Sequence, residues 1–209
     1  MNTRPYQLVN PMNYQQYRIL TEALTAVHRT TGIEQSDEKI AFTALNLQRM
    51  KRVEKQFELD TQLEELIKQD GVNWNWLVLV ESWCGDGAQL LPAIASIAHA
   101  APGIKLTVLL RDENPELMDT CLTNGSRAIP KLICEDAATG ERIFTWGPRP
   151  TAIQKQVNQL KASYPEISHA ELVQQIHLWY AKDKSKALQQ DLTRLVQDAL
   201  EKQVMSTEI

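Results

Sequence analysis

The chain has 209 residues, 43% of them hydrophobic and 23% charged, with a formal net charge of −4. Those proportions exclude wholesale disorder, the mild acidity argues against a nucleic-acid binder, and no apolar run approaches the roughly 18–20 residues of a membrane helix. Three cysteines, a small odd number, argue against a disulfide scaffold and for a reducing compartment, so a cytoplasmic location is expected.

The start, MNTRPYQLVNPMNYQQY, has no apolar stretch behind a basic end and does not read as a secretory signal. After Asn13, the spacing of Tyr17, Leu20, Leu24 and Val27 predicts an amphipathic helix stopped by Thr31-Gly32. Ser36-Asp37-Glu38-Lys39 opens a second helix with capping chemistry. Its apolar face continues through Phe42, Leu45, Met50, Val53 and Phe57, and the helical pattern runs on to Leu63, Leu66 and Ile67. The middle of the chain changes character. Residues 76–80 (WLVLV) form a short apolar run with the composition of a buried strand. A helix is expected over 88–101 and a second strand over 105–110. Asn114-Pro115 then starts a helix reaching about Thr123, before the Asn124-Gly125 stop. Residues 131–135 and 141–146 read as a hairpin turned at Ala138-Thr139-Gly140. Helical patterns resume with Ile153, Val157 and Leu160. They continue from Ile167 to Tyr180 and from Ala187 to Val204, either as separate helices or as one bent helix. The order is helices, β-α-β-α-β-β-α, then more helix, so the first two strands should be parallel.

Glycine is scarce, with eight in all, and two of them fall in Glu81-Ser82-Trp83-Cys84-Gly85-Asp86-Gly87. This segment follows the first strand and opens the next helix. Ligands and chemistry gather at the carboxyl ends of parallel strands, and a cysteine at a helix N-terminus has its thiolate favoured by the dipole and the N–H groups there.

Over roughly residues 72–160 the sequence resembles the thioredoxin superfamily, and most closely its bacterial thioredoxin-like members with an N-terminal helical extension and a WCGD-type loop. Strand-Trp83-Cys84-Gly85 then helix resembles that family's active-site loop. Pro92 stands where thioredoxins carry a helix-kinking proline, and Ala128-Ile129-Pro130-Lys131 resembles the loop whose proline is cis and faces the cysteine. Gly147 follows the hairpin as the family's glycine does, and 46 residues separate Cys84 from Pro130, as the family's spacing requires. The resemblance implies an α/β fold, a three-layer sandwich with a central mixed sheet and helical extensions at both ends. It divides the chain into an extension over 1–70 packed on the core and a thioredoxin-like domain over 71–209 with an elongated helical C-terminus. Cys84 is then the catalytic candidate. Trp83, Gly85, Asp86, Gly87, Ile129 and Pro130 line the substrate groove. No cofactor and no metal are implied.

Three departures from the family pattern bear on function. Gly87 stands where the resolving cysteine belongs, Val78 replaces the buried acid six residues before Cys84, and Val108 replaces the lysine of the second parallel strand. Two functions are compatible with this. One is a monothiol disulfide oxidoreductase in which Cys84 attacks and an external thiol resolves the mixed disulfide. Its partner would be a disulfide- or thiol-bearing protein or a small thiol, with no nucleic acid or membrane involved. The other is a redox-inactive binding module that takes extended peptide in the cis-proline groove. A glutathione-transferase-like enzyme is disfavoured, because the helices are split between both ends.

Plainer roles are also expected. Asp86 and Gln89 have the spacing of a capping box. Asp86 also opposes ionisation of Cys84. Cys134 reads as core filler, and Cys121 as filler or an incidental surface thiol. Arg127 reads as a solvated turn residue, and Arg149 is within reach of the Pro130 loop. The four histidines lack ligand spacing. Trp179-Tyr180 reads as packing. Because the family places a cysteine at position 87, room for a side chain is expected there.

Overall fold

The computed structural model describes residues 6–207, side chains through 205. Strand β1 (Trp74–Val80) lies at the centre of a four-stranded sheet of order β2-β1-β3-β4. It pairs in parallel with β2 (Ile104–Leu110), Val78 opposite Val108, and antiparallel with β3 (Lys131–Asp136). Strand β4 (Arg142–Trp146) completes the hairpin. The apolar run of β1 is buried on both faces, which is why it reads as continuous apolar sequence rather than alternation. Trp74, Trp76, Val78 and Val80 face one core, and Leu77 and Leu79 face the other.

The first core is the larger. It holds Leu90, Leu91, Ile94 and Ile97 of α4 (Gly85–Ala100), with Tyr17 of α1 (Tyr14–Ala26), Met50 of α2 (Asp37–Gln56) and Leu63 of α3 (Thr61–Ile67). The second core is thin, and α5 (Pro115–Asp119) supplies Leu117 and Met118. Three helices follow the sheet: α6 (Thr151–Ser163), α7 (His169–Asp183) and α8 (Lys186–Thr207). Asp191 of α8 is the N-terminal cap that Pro150 cannot provide for α6. It accepts the Thr151 N–H at 2.7 Å and the Trp146 indole N–H at 3.0 Å.

Several boundaries differ from the sequence expectation. Helix α1 ends at Ala26, before Thr31-Gly32. Ser36 is at the N-cap of α2 but makes no side-chain capping bond. Asp60, at the N-cap of α3, does make one, through the Leu63 N–H. Helix α5 stops at Asp119, and Asn124-Gly125 turns a small Thr123–Ser126 bridge instead. Asn114 does not cap α5. Its side chain accepts the Val9 N–H at 2.9 Å and donates to the Val9 carbonyl at 3.2 Å, clasping the N-terminal segment. Next to that clasp, Met12 pairs with Val108 on the outer edge of β2. Helices α7 and α8 are two helices, broken by the left-handed Lys184 (φ 51°) and Ser185 (φ 64°).

Candidate functional site

The chain leaves β1 at Val80 and turns at once, with the Cys84 N–H donating to the Glu81 carbonyl at 3.0 Å. Cys84 is the N-cap of α4, in extended backbone geometry, and its Sγ accepts the Gly87 N–H at 3.3 Å. The thiol in turn donates to the Ile129 carbonyl at 3.4 Å. The Ile129–Pro130 peptide is cis, as is Gly147–Pro148. Gly147 belongs here for steric reasons, since a Cβ at this position would run into the Pro130 carbonyl oxygen.

Cys84 is 8% exposed. Burial pushes its thiol up to about 12, Asp86 adds to the rise, and the Gly87 N–H and the Arg149 charge oppose it. The desolvation cost therefore exceeds the helix-terminal stabilisation, and the group rests as a neutral thiol. Cys121 and Cys134 are also buried, and all three cysteines are free. Gly87 is tighter than expected: a Cβ there would meet Val80 Cγ2 at 2.5 Å.

Asp86 and Gln89 do not form the expected capping box. Asp86 is held by Arg149, whose Nε lies 3.0 and 2.9 Å from its two oxygens and whose second nitrogen lies 2.7 Å away. The Tyr180 hydroxyl donates to the same carboxylate at 2.8 Å. Arg149 therefore reaches Asp86 rather than the Pro130 loop, and Tyr180 is a polar partner as well as a packing residue. Gln89 lies between Arg52, which donates to its Oε1 at 2.5 Å, and His177 Nδ1 at 3.0 Å. Arg49 donates to Asn46 Oδ1 at 2.7 Å, and Asn46 donates to the Ser82 carbonyl at 2.8 Å. Burial first, then the charges of Arg49, Arg52 and Arg149, drive His177 down to about 3.

Trp83 is half-buried. Lys39 Nζ stands 4.4 Å from its ring centroid and the Arg111 guanidinium 5.0 Å, both in cation–π range. Arg127 forms an exposed ion pair with Asp119. The loop is tied to the N-terminal helices by hydroxyls: Thr30, Thr31 and Thr43 all bond Ser82 Oγ, at 3.0 to 3.2 Å. An open cleft of about 320 Å³ lies beside the loop, lined by Phe42, Trp83, Cys84, Arg149, Ile176 and His177 among others. A cleft of about 390 Å³ between α6 and α7 has neither cysteine nor acidic group in its lining.

Of the residues expected at the site, Trp83, Cys84, Gly85 and Asp86 line this cleft. Gly87 and Ile129 hydrogen-bond the Cys84 sulfur, which brings the cis peptide of Pro130 beside them. Sequence reasoning missed Arg49, His177 and Tyr180, and it also missed Glu81. Glu81 is fully buried. Its Oε1 accepts the Asp112 N–H at 2.9 Å, its Oε2 has no hydrogen-bond partner among the described residues, and burial raises its pKa. An acid is thus buried three residues before the cysteine, while the position six before holds Val78. Among the described residues no group of three or more metal-ligating side chains occurs, and no helix is long and apolar enough to cross a membrane.

A thiol N-cap held against a cis-proline loop, at the end of the central parallel strand, defines a thioredoxin-like protein that carries one cysteine in its loop. Residues 32–161 match the family model described as Thioredoxin, more than half of the chain, and the chain belongs to that family. Among solved structures it is similar to PA1234, a protein of unknown function from Pseudomonas aeruginosa, at 18% identity and a TM-score of 0.54, over 90% of this chain and 99% of that one. It is similar also to an HIV epitope scaffold, at 16% identity and a TM-score of 0.55, over 90% and 99% of the two chains. No curated protein matches. At these identities the two structures speak for the fold alone.

Proposed function

We propose that this chain is a thioredoxin-fold binding protein, with the cleft between α2, the start of α4 and α7 as its binding site and Cys84 as part of the scaffold. The observation that carries this is the state of Cys84. It is 8% exposed, bonded on both sides to backbone, and raised to about 12. The thiolate is the nucleophile in disulfide exchange, and a thiol whose desolvation outweighs the positive charge near it is inert. The missing resolving thiol at Gly87 supports the same reading.

A second reading, monothiol exchange, is favoured by one contact. Cys84 lines the cleft beside Arg149, whose charge favours the thiolate. In that reaction the Cys84 thiolate attacks one sulfur of a disulfide and the other sulfur leaves as a thiolate. An external thiol then displaces Cys84 from the mixed disulfide. Rate-versus-pH alkylation with iodoacetamide separates the two, with Cys84→Ser identifying the signal. The binding reading expects an inflection well above the ordinary thiol value of about 8.5, and an inflection below about 8 overturns it in favour of exchange.

A further inference from the structure

The cleft beside Cys84 has two facing jaws, and they are held differently. Its floor is the run of residues 83–86, with Lys39 and Phe42 of α2 on one side and Val173, Ile176 and His177 of α7 on the other. Helix α2 is fixed. Thr43 and Asn46 bond Ser82 at 3.1 and 2.8 Å, and Arg52 bonds Gln89 at 2.5 Å. Helix α7 is held lightly. Only Leu172, Ile176 and Tyr180 of its fifteen residues are buried, against eleven of sixteen in α4. Two side-chain hydrogen bonds join it to α4: the Tyr180 hydroxyl donates to Asp86 at 2.8 Å, and the Gln89 amide stands 3.0 Å from His177 Nδ1.

Both ends and the far side of α7 leave it room to move. At its N-terminal end, residues 161–170 are exposed apart from Ile167. At its C-terminal end, Lys184 and Ser185 are consecutive left-handed residues, at φ 51° and 64°. Neither is glycine, so a rotation that returns them to ordinary backbone relieves strain, and hinges are made by the few residues that absorb such a change. Beyond α7 lies the cleft of about 390 Å³ towards α6, and Ile176 lines both clefts. A displacement of α7 towards α6 would widen the one as it narrows the other.

We propose that α7 is a lid on the cleft, hinged at Lys184-Ser185 and latched to α4 by Tyr180 and His177, and that unlatching it towards α6 opens the way to the floor at residues 83–86. This rests on the binding reading above and adds how its cleft is entered.

Native-state hydrogen exchange tests it, read by NMR on the whole protein. Released from α4, a fifteen-residue helix is marginal in water, so opening the lid exposes its amides. In wild type, the amides of residues 173–183 are expected to exchange at least about tenfold faster than those inside α4. The α8 amides past its first turn, beyond the hinge, should stay with α4.

Two variants separate local from global opening. Ile94→Val, at a fully buried position of α4, destabilises the whole fold and should speed α4 exchange about fivefold while leaving α7 unchanged. Tyr180→Phe removes one latch and should speed α7 exchange at least about tenfold. The wild-type and Ile94→Val arms decide by themselves should Tyr180→Phe not fold. Exchange of α7 at the α4 rate, α7 following Ile94→Val, α8 exchanging with α7, or indifference of α7 to Tyr180→Phe overturns the proposal. Exchange involves no thiol, so the two readings fail separately. A reactive Cys84 would overturn the binding reading and leave the lid, and equal exchange of α7 and α4 would remove the lid and leave the binding reading.

Discussion

Two sets of charges flank the first turn of α4, and they are completed differently. Asp86 is enclosed: two Arg149 nitrogens and the Tyr180 hydroxyl satisfy it, and its side chain is 12% exposed. On the other side of Gly85, Arg49 and Arg52 have only neutral amides. The Asp86 group joins three distant pieces of chain, the start of α4, the loop after β4 and α7. The Arg49 group links α2 to the Ser82 loop and to α4 through neutral amides. The first arrangement is architecture. The second is a link made without a counter-charge.

The contrast predicts its largest effect at Asp86. Asp86→Ala leaves Arg149 unpaired and should cost about 2–4 kcal/mol in urea unfolding. Adding Arg149→Met should recover a good part of that loss, because no unpaired charge remains. A purely additive double variant would break the contrast.

Gly87→Cys tests the first turn of α4 from the scaffold side. Val80 must move to admit the new Cβ, so the reduced variant should lose about 1–3 kcal/mol, and Val80→Ala should relieve most of it. The new Cβ would stand 3.5 Å from Cys84 Cβ, at the short end of disulfide geometry. On oxidation the variant should therefore gain a bridge between Cys84 and the introduced thiol, read by the loss of two mass units and by thiol counting. A wild-type-like stability with no bridge would show that Val80 does not fill this space.

Arg49→Met should behave unlike Asp86→Ala. Removing a cation without a counter-charge should leave unfolding stability within about 1 kcal/mol of wild type, or above it. A loss as large as that of Asp86→Ala would make Arg49 structural and erase the contrast.

At neutral pH the smallest effect is that of His177, which shows itself as a slope on the acid side. The His177 imidazole titrates near 6.5 when unfolded and near 3 when folded. Between those values the unfolded chain binds the extra proton, so stability falls as pH falls from about 6.5 towards 3 and is fully present above that window. His177→Gln should flatten this part of the melting-temperature profile relative to wild type. Parallel profiles would mean that His177 is protonated in the folded protein.

The sheet was legible in the sequence because burial on both faces leaves no room for polar residues, so Leu77-Val78-Leu79-Val80 could hardly be anything else. Trp83, Cys84 and the cis-proline loop were legible through their resemblance to a family and their spacing. What was not legible came from tertiary contact. Nothing local marks Arg149, Tyr180 and His177 as neighbours of Asp86 and Gly85, because they lie 63 to 94 residues away in sequence. Asp86-Gly87-Ala88-Gln89 has the spacing of a capping box, but the distant arginines compete better for both side chains. Glu81 was not legible because the family's acid stands six residues before the cysteine, not three. The Gly87 expectation failed because Val80, on the same face, had filled the space.

The clasp between Asn114 and Val9, with the Met12–Val108 bridge beside it, has a consequence for how copies of this protein meet one another. Strand β2 is an outer strand, and an uncovered outer strand is a template on which another chain can add. Two backbone bonds from Met12, at 3.0 and 2.8 Å, occupy the middle of that edge. Asn114 fastens the segment a few residues upstream. The stretch ahead of α1 thus works as a guard rail. A chain with that stretch cut or pulled away would keep its sheet yet offer Val108 to its neighbours, and it would be expected to clump in concentrated solution well below its unfolding temperature.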